Sequence, residues 1–454
     1  MSPRDRPSRR TFLMSAAATA SAAHLGGGPA TASPGPNDRV RIATIGMGII
    51  GCIDTDCALK VPGVELVAVS DLYAGRREHA KEAYGARVDA VVDYREVLAR
   101  KDVDAVLLCV PDHWHARMSI DAMKAGKAVY CEKPMVRDVG EGPEVIRAQR
   151  ETGAVFQVGS QFGSSVVFEK LRQILASGSI GKLHAVEARY NRNSDLGAWQ
   201  YTIPTDASPS TVDWDRFLGE APKRPFDADR FFRWRKYWDY GTAVAGDLFV
   251  HLLTAIHHAT GALGPDRVAA MGGQRYWRDG REVYDLIMGL LDYPETPAHP
   301  AFTLALQTDF EDGGGDNSLF RFVGSDGVVD VTFGGLKVTR VGIVKSGAEQ
   351  VLKGYNSVTS FSKAQQQALA AKLAAEGPAP RPSKAAPETF AAPEGYDARL
   401  DHLTRFFRSA REGTPVEQDA TFGYRAAAPA LLCNDSYRQG RTIAWDPVAM
   451  KLPG

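Results

Sequence analysis

The stretch Gly46-Met47-Gly48-Ile49-Ile50-Gly51 constrains this chain more than any other, because it follows the β-branched run Val40–Ile45 and opens a helical pattern. In such a corner the first glycine makes the tight turn, the second lets backbone approach a pyrophosphate, and the third packs helix on strand. The helix start, with Ile49 and Ile50, offers unpaired N–H groups and a positive dipole end to phosphates. Twenty residues beyond Gly51, Asp71 ends the next β-rich run, where a carboxylate accepts from both ribose hydroxyls. The combination predicts a bound dinucleotide and favours NAD over NADP by repelling a 2′-phosphate. Arg76 and Arg77 close by keep NADP open. The competing reading is a strand-turn-helix corner with an exposed Asp and no ligand.

From Arg39 short β-rich runs alternate with helical stretches, the pattern of a doubly wound parallel sheet. Strands are predicted near 40–45, 64–70, 103–110, 128–131 and 155–158, with helices near 75–84, 115–125 and 140–152. After about residue 160 the character changes. A helix over 168–176 leads to β-rich runs at 183–190, 268–275, 282–293 and 303–310, with glycine turns at 313–315 and 334–335. These predict an α+β domain with a large open, mainly antiparallel sheet. A chain of 454 residues also exceeds what one core supports. The expected division is a leader over 1–38, a dinucleotide-binding Rossmann domain over 39–159 and a second domain over 160–454. Within the latter, 364–394 begins helical and turns Ala/Pro-rich, which predicts a mobile excursion. Two amphipathic helices over 396–412 and 424–440 and a short strand over 443–447 follow.

Ser8-Arg9-Arg10-Thr11-Phe12-Leu13-Met14, an Ala-rich apolar run to Leu25 and the small residues Ala30-Thr31-Ala32 read as a twin-arginine signal with its cleavage site. The alternative is a tail with a chance Arg pair. The run is too short and alanine-rich for a stable membrane span, so the expected destination is a periplasm or beyond. Lys plus Arg and Asp plus Glu both total 54, which leaves no global field for nucleic acid; a small, mostly neutral ligand is expected. Five cysteines, an odd number, suggest core thiols rather than a disulfide framework.

Chemistry-bearing residues fall where strands of a parallel sheet end. Pro111-Asp112-His113-Trp114-His115 follows the strand predicted near 103–110, and Glu132-Lys133-Pro134 the one near 128–131. Ligands bind at that edge of open α/β sheets, so Lys133 is placed beside the nicotinamide, where it can donate to a substrate hydroxyl. A surface charge is the plainer reading of Lys133 alone. Asp247 and His251 lie four apart on a predicted helix, hence on one face, and a carboxylate there would orient the imidazole and raise its basicity. The plainer reading is a core histidine. His257 and His258 raise the question of a metal, but only His258 shares a face with His251, and no metal site is expected.

Together, Gly46 to Gly51, Glu132-Lys133-Pro134 and Gly246-Asp247-Leu248-Phe249-Val250-His251 resemble the glucose-fructose oxidoreductase, inositol dehydrogenase and rhizopine-catabolism (Gfo/Idh/MocA) family over nearly all of the chain after the leader. The resemblance implies Lys133, Asp247 and His251 around the reacting carbinol, and a cofactor site of Gly46, Gly48, Ile49, Ile50, Gly51, Asp71, Pro111, His113, His115, Glu132 and Gln161. It also implies a homo-oligomer through the second sheet. In two places the chain departs from the family: Thr254 stands where many relatives carry an acid, and Gly163 where they often carry Arg. The dense run Phe226 to Tyr240 suggests a cleft in which aromatic faces stack on sugar rings while Arg233, Arg235, Lys236 and Tyr240 contact hydroxyls. Domain packing is the alternative for it.

An exported compartment holds little free dinucleotide, so such an enzyme must keep its NAD and regenerate it within each cycle. The expected function is an NAD(P)-dependent oxidoreductase acting on a secondary hydroxyl of a sugar, glycoside or cyclitol. A second expectation is an NAD-dependent glycosidase working by transient oxidation and elimination. A third is a non-catalytic sugar-binding or scaffold protein.

Overall fold

The computed structural model describes residues 39–341, 346–376 and 386–453; the leader and residues 377–385 lie outside the described residues. Six parallel strands, β1 (Val40–Ile45), β2 (Val64–Ser70), β3 (Asp89–Val91), β4 (Ala105–Leu108), β5 (Ala128–Glu132) and β6 (Phe156–Gly159), pair in the order β3-β2-β1-β4-β5-β6. Helices α1 (Ile49–Ala58), α2 (Ala74–Tyr84), α3 (Tyr94–Leu98), α4 (Asp112–Lys124) and α5 (Gly142–Thr152) connect them. The strand order reverses between β1 and β4, which opens a crevice outside the carboxyl ends of the strands. Because helices cover both faces, β4 can be apolar throughout, and all four of its residues are buried. The unforeseen strand is β3: at three residues, Asp-Ala-Val, it is too short to show a period.

The second domain holds α6 (Val166–Ala176), β7 (Leu183–Asn191), α7 (Trp214–Leu218), α8 (Ala228–Phe232), α9 (Val250–Thr260), β8 (Arg267–Gly273), β9 (Leu286–Tyr293), β10 (Phe302–Asp309), β11 (Asn317–Gly324), β12 (Gly327–Thr332) and β13 (Gly335–Arg340). It continues through α10 (Ala348–Lys353), α11 (Lys363–Glu376), β14 (Glu388–Ala391), α12 (Ala398–Glu412), α13 (Ala420–Gln439) and β15 (Ile443–Ala444). Nine strands form one sheet in the order β14-β13-β12-β11-β7-β10-β9-β8-β15, antiparallel except for the β7/β10 pair. One face is covered by α6, α9 and α13, as the alternation of β9 requires: Ile287, Leu291 and Tyr293 are buried while Met288 and Leu290 point to the open side. Cys57, Cys109, Cys131 and Cys433 are buried and Cys52 is half-buried.

Two expectations change here. The Ala/Pro-rich part of 364–394 was expected to be a mobile excursion; some of it lies outside the described residues, and Glu388–Ala391 is an edge strand paired with β13. Helix α12, expected to belong with the second domain, packs on the turn Gln161–Ser164 there and also on α1 and β1, putting Leu403, Phe406 and Phe407 into one core with Val40, Ile42 and Tyr130. A helix late in the chain thus ties back onto the first sheet. Phe406→Ala is expected to cost about 3–5 kcal/mol in denaturant unfolding, the range for a buried aromatic; a loss within experimental error would show that α12 does not belong to this core.

Candidate active site

The crevice continues into a cavity of about 540 Å³ walled by both domains. Its dinucleotide end is built by the glycine turn. Gly46 has φ +91°, and a Cβ there would stand 2.4 Å from the Cys109 carbonyl oxygen; a Cβ on Gly51 would stand 1.9 Å from the Gly46 oxygen. Gly51 therefore lies beneath the turn and does not line the cavity, whereas Gly46, Gly48, Ile49 and Ile50 do. No side chain caps α1 at Gly48, so its first N–H groups are left for a ligand.

Asp71 is held by the Met47 and Tyr73 amides, at 2.8 and 2.9 Å, with Arg76 Nη1 at 3.5 Å. Arg77 turns away and donates to the Asp71 carbonyl oxygen at 2.7 Å. The Arg76 guanidinium lies over the rings of Phe231 and Phe232. Those rings arrive on the long connection between β7 and α9, which returns to the first domain: the Ala74 amide donates to the Thr211 carbonyl at 2.8 Å and the Asp213 amide to the Leu72 carbonyl at 3.0 Å.

At the other end, Lys133 Nζ donates to Asp247 Oδ1 at 2.7 Å and to the Asp247 carbonyl at 2.8 Å. Arg235 Nε reaches the same Oδ1 at 3.3 Å. Burial alone would raise the Asp247 carboxyl, but Lys133, Arg235 and Arg192 hold it well below the ordinary range. His251, buried between Phe162 and Tyr190, is pushed well below its usual value by burial and by Lys133, so the imidazole is neutral. Its Nδ1 has no hydrogen-bond partner. The expected contact in which Asp247 orients His251 is absent. Asp247 sits in a π turn, Ala245–Phe249, ahead of α9, and the wider turn rotates its carboxylate away from the imidazole and onto Lys133 and Arg235.

Behind Lys133 lies a buried acidic pair. Asp54 pairs with Arg399 of α12 and accepts from Cys109 Sγ at 3.6 Å, while Glu132 accepts from the Lys133 amide at 3.2 Å. Burial and the Asp54 charge push Glu132 up to about 8 against Lys133 and Arg399. His115 Nδ1 lies 2.7 Å from the Pro134 carbonyl, which can only accept, so Nδ1 carries the proton and the buried, unpartnered Nε2 is an acceptor. Glycine cradle, uncapped helix, anchored Asp71 and this orphaned acceptor together suit a dinucleotide that brings donors and phosphates.

Pro111, His115, Glu132, Lys133, Gln161, Arg235, Asp247 and His251 line the cavity. Besides Gly51, four expected site residues do not. His113 Nε2 bonds the Phe217 carbonyl at 2.8 Å. Arg233 donates to the Tyr201 carbonyl and pairs with Asp229; Lys236 is buried against Asp229 and Asp279; Tyr240 packs among Phe217, Trp214 and Tyr237. At Arg233, Lys236 and Tyr240 packing, the alternative for Phe226 to Tyr240, prevails. Sequence reasoning missed Tyr190 and Arg192 at the end of β7, Tyr201, Trp234 and Arg399. A Tyr-x-Arg at a strand's carboxyl end was the available signal for the first two. Of the two family departures, Thr254 is fully buried, and the space beside Gly163 is filled by Gln418, whose Nε2 donates to the Gly163 carbonyl at 3.2 Å. His258 lies 3.4 Å from Glu169 and His257 bonds the Tyr293 hydroxyl, so neither joins His251. Among the described residues no three acids, histidines or cysteines gather as metal ligands would.

Fold and cavity define a two-domain protein with an NAD-binding Rossmann half. Residues 40–160 match the model for the Gfo/Idh/MocA oxidoreductase family's NAD-binding Rossmann fold and residues 167–269 the model for its C-terminal alpha/beta domain. It is 30% identical over 175 residues to inositol 2-dehydrogenase of Salmonella typhimurium, covering 38% of this chain and 50% of that one. It is 32% identical over 186 residues to inositol 2-dehydrogenase of Rhodococcus erythropolis, covering 40% and 53%. The chain thus spans about half the length of the curated relatives it matches. A solved levoglucosan dehydrogenase with NADH and levoglucosan shares the fold at TM-score 0.62 and 16% identity, covering 89% of this chain and 99% of that one. Myo-inositol 2-dehydrogenase from Lactobacillus plantarum does so at 0.59 and 19%, with 89% and 99% covered.

Because Glu132 binds its proton more tightly in the fold than in the open chain, its contribution to stability is greatest near and below pH of about 4.3, its unfolded value. That contribution is lost as pH rises toward its folded value of about 8. Glu132→Gln is expected to flatten this fall. Thermal melts between those limits that decline equally in both proteins would refute it.

Proposed function

We propose that this chain oxidises a secondary hydroxyl of a sugar, glycoside or cyclitol with bound NAD. The observation that carries the reading is the buried Lys133–Asp247 pair beside a neutral His251, at the carboxyl edge of the Rossmann sheet. The Gly46–Gly48 turn and Asp71 would hold NAD, which would supply an acceptor for hydride from the carbinol carbon. His251, uncharged and with an unused ring nitrogen, accepts the hydroxyl proton, and Lys133 holds the developing oxyanion. Asp247 fixes Lys133 from across the domain boundary and keeps it aimed. Relatives and fold neighbours named for inositol and levoglucosan, and one solved with L-sorbose, support polyol chemistry. A pure binding protein has no need of this trio.

Retention and recycling of NAD belong to the same reading. The β7–α9 connection, with Phe231 and Phe232 beneath Arg76 and the Tyr73 hydroxyl bonded to Asp206, roofs the adenosine side and supports a slowly exchanging cofactor. Retention in turn supports a second reading, the glycosidase that oxidises, eliminates and reduces again. The open sheet face, with Met271 82% and Leu290 59% exposed, supports a homo-oligomer.

Protein purified without added cofactor is expected to release dinucleotide on denaturation and to show sugar-dependent absorbance of reduced nicotinamide. Lys133→Ala is expected to lower turnover by about a hundredfold or more; unchanged turnover removes this centre, and free aglycone without net reduction selects the glycosidase. Export through the twin-arginine route rests on Arg9 and Arg10. Replacing both with lysine should leave the precursor in the cytoplasm on cell fractionation, and continued export would discard the signal.

A further inference from the structure

We propose that the substrate carries a carboxylate, seated between Arg192 and Arg235, so that the sugar is a uronic acid or its glycoside. This rests on the dehydrogenase reading above and narrows it.

The two arginines come from different elements, Arg192 just after β7 and Arg235 in the turn after α8, yet both wall the substrate end of the cavity and both act on Asp247. Among the described residues Arg192 has no carboxylate partner, and Arg235 has only a share of Asp247. Arg192 makes no ion pair among the described residues; its guanidinium spends Nη1 on the Gly197 carbonyl at 3.0 Å and leaves Nε and Nη2 without a protein acceptor. Arg235 spends only Nε, on an Asp247 oxygen that Lys133 already holds at 2.7 Å. Its guanidinium carbon lies 4.2 Å from the centre of the Trp234 ring, a stacking contact that fixes the guanidinium in place.

The neighbouring cations differ. Arg233 pairs with Asp229, Arg281 with Asp279, and Lys236 with both acids. Each of these inward-turned cations thus pairs with Asp229 or Asp279, whereas among the described residues Arg192 pairs with no acid and Arg235 shares Asp247 with Lys133.

Charge at this end does not balance. Lys133, Arg192 and Arg235 face Asp247 and Asp112, and Asp112 Oδ2 is already occupied by the Thr242 amide and hydroxyl at 3.0 and 2.6 Å. Arg399 is neutralised by Asp54. The imidazole of His251 adds no positive charge, and Glu132, raised to about 8, adds little negative. One positive charge is left over, with four guanidinium N–H-bearing nitrogens unspent in a partly desolvated wall. A carboxylate matches such donors in charge and in planar, two-oxygen geometry, which a hydroxyl does not. Tyr190, Tyr201 and Trp234 line the same end and supply flat faces, so the carboxylate arrives on a ring.

The test uses the full chain saturated with NAD. D-glucuronate, D-galacturonate and D-mannuronate are titrated beside the parent neutral sugars and glucose 6-phosphate, with tryptophan fluorescence reporting binding and nicotinamide absorbance reporting reduction. At least one uronate is expected to half-saturate at about tenfold lower concentration than its parent sugar, with the gap shrinking in added salt. Arg192→Gln and Arg235→Gln should each remove most of that gap, and Arg192→Lys, which keeps the charge but not the fork, should restore part of it. No uronate preference in the wild-type protein overturns the proposal even if a variant fails to fold, as does a preference unchanged in both Gln variants. Tighter binding of glucose 6-phosphate overturns the carboxylate in favour of a phosphate. If no sugar of either kind binds or reduces the cofactor, the dehydrogenase reading falls; if neutral sugars react as well as uronates, only this inference does.

Discussion

The 2.7 Å contact between Lys133 and Asp247 joins the end of β5 to the π turn ahead of α9, across 114 residues of chain. Both side chains are only 9% exposed, so each charge needs the other; removing one partner of such a pair costs about 3–5 kcal/mol by stranding its mate. The contact therefore does two things at once. It sets how the second domain meets the Rossmann edge, and it places an ammonium group, a neutral imidazole and two guanidiniums around one small space.

The remaining buried charges at this boundary follow the same logic. Arg399 on α12 reaches Asp54 on α1, so two helices far apart in sequence are clamped together directly behind the glycine turn. Gln418 fills the space beside Gly163 and donates to its carbonyl, and His402 bonds Ser164 at 2.7 Å on the neighbouring turn. The floor of the site is thus assembled from segments that are distant in sequence and held by groups that cannot be left unpaired. The roof is apolar: the β7–α9 connection uses rings, Phe217, Phe231 and Phe232, to cover the adenosine side.

Much of this was legible before any tertiary structure. The Rossmann order follows from the alternation of short apolar runs with helical stretches, and Gly46 to Gly51 locates the phosphate end because Gly46 needs a positive φ and a Cβ on Gly51 would stand only 1.9 Å from the Gly46 oxygen. Lys133 and His251 were legible as motif residues at a strand end and on a helix. The aromatic-cationic run at 226–240 was not resolved by its sequence. Arg233, Arg235 and Lys236 are chemically alike, and only the positions of Asp229, Asp279 and Asp247 decide which of them turn inward.

What the sequence by itself determined is therefore local: glycines where backbone must pass close, apolar periods where strands and helices bury a face, a lysine and a histidine at positions that chain direction brings to one edge. Pairing of charges is not local. Whether Asp247 steadies His251 or Lys133 depends on the π turn Ala245–Phe249 and on which cation burial leaves unsatisfied, and Arg192 and Arg399 enter the site from strands and helices with no motif of their own. Only the tertiary structure decides these, because the cost of an unpaired buried charge is fixed by surroundings that distant segments provide.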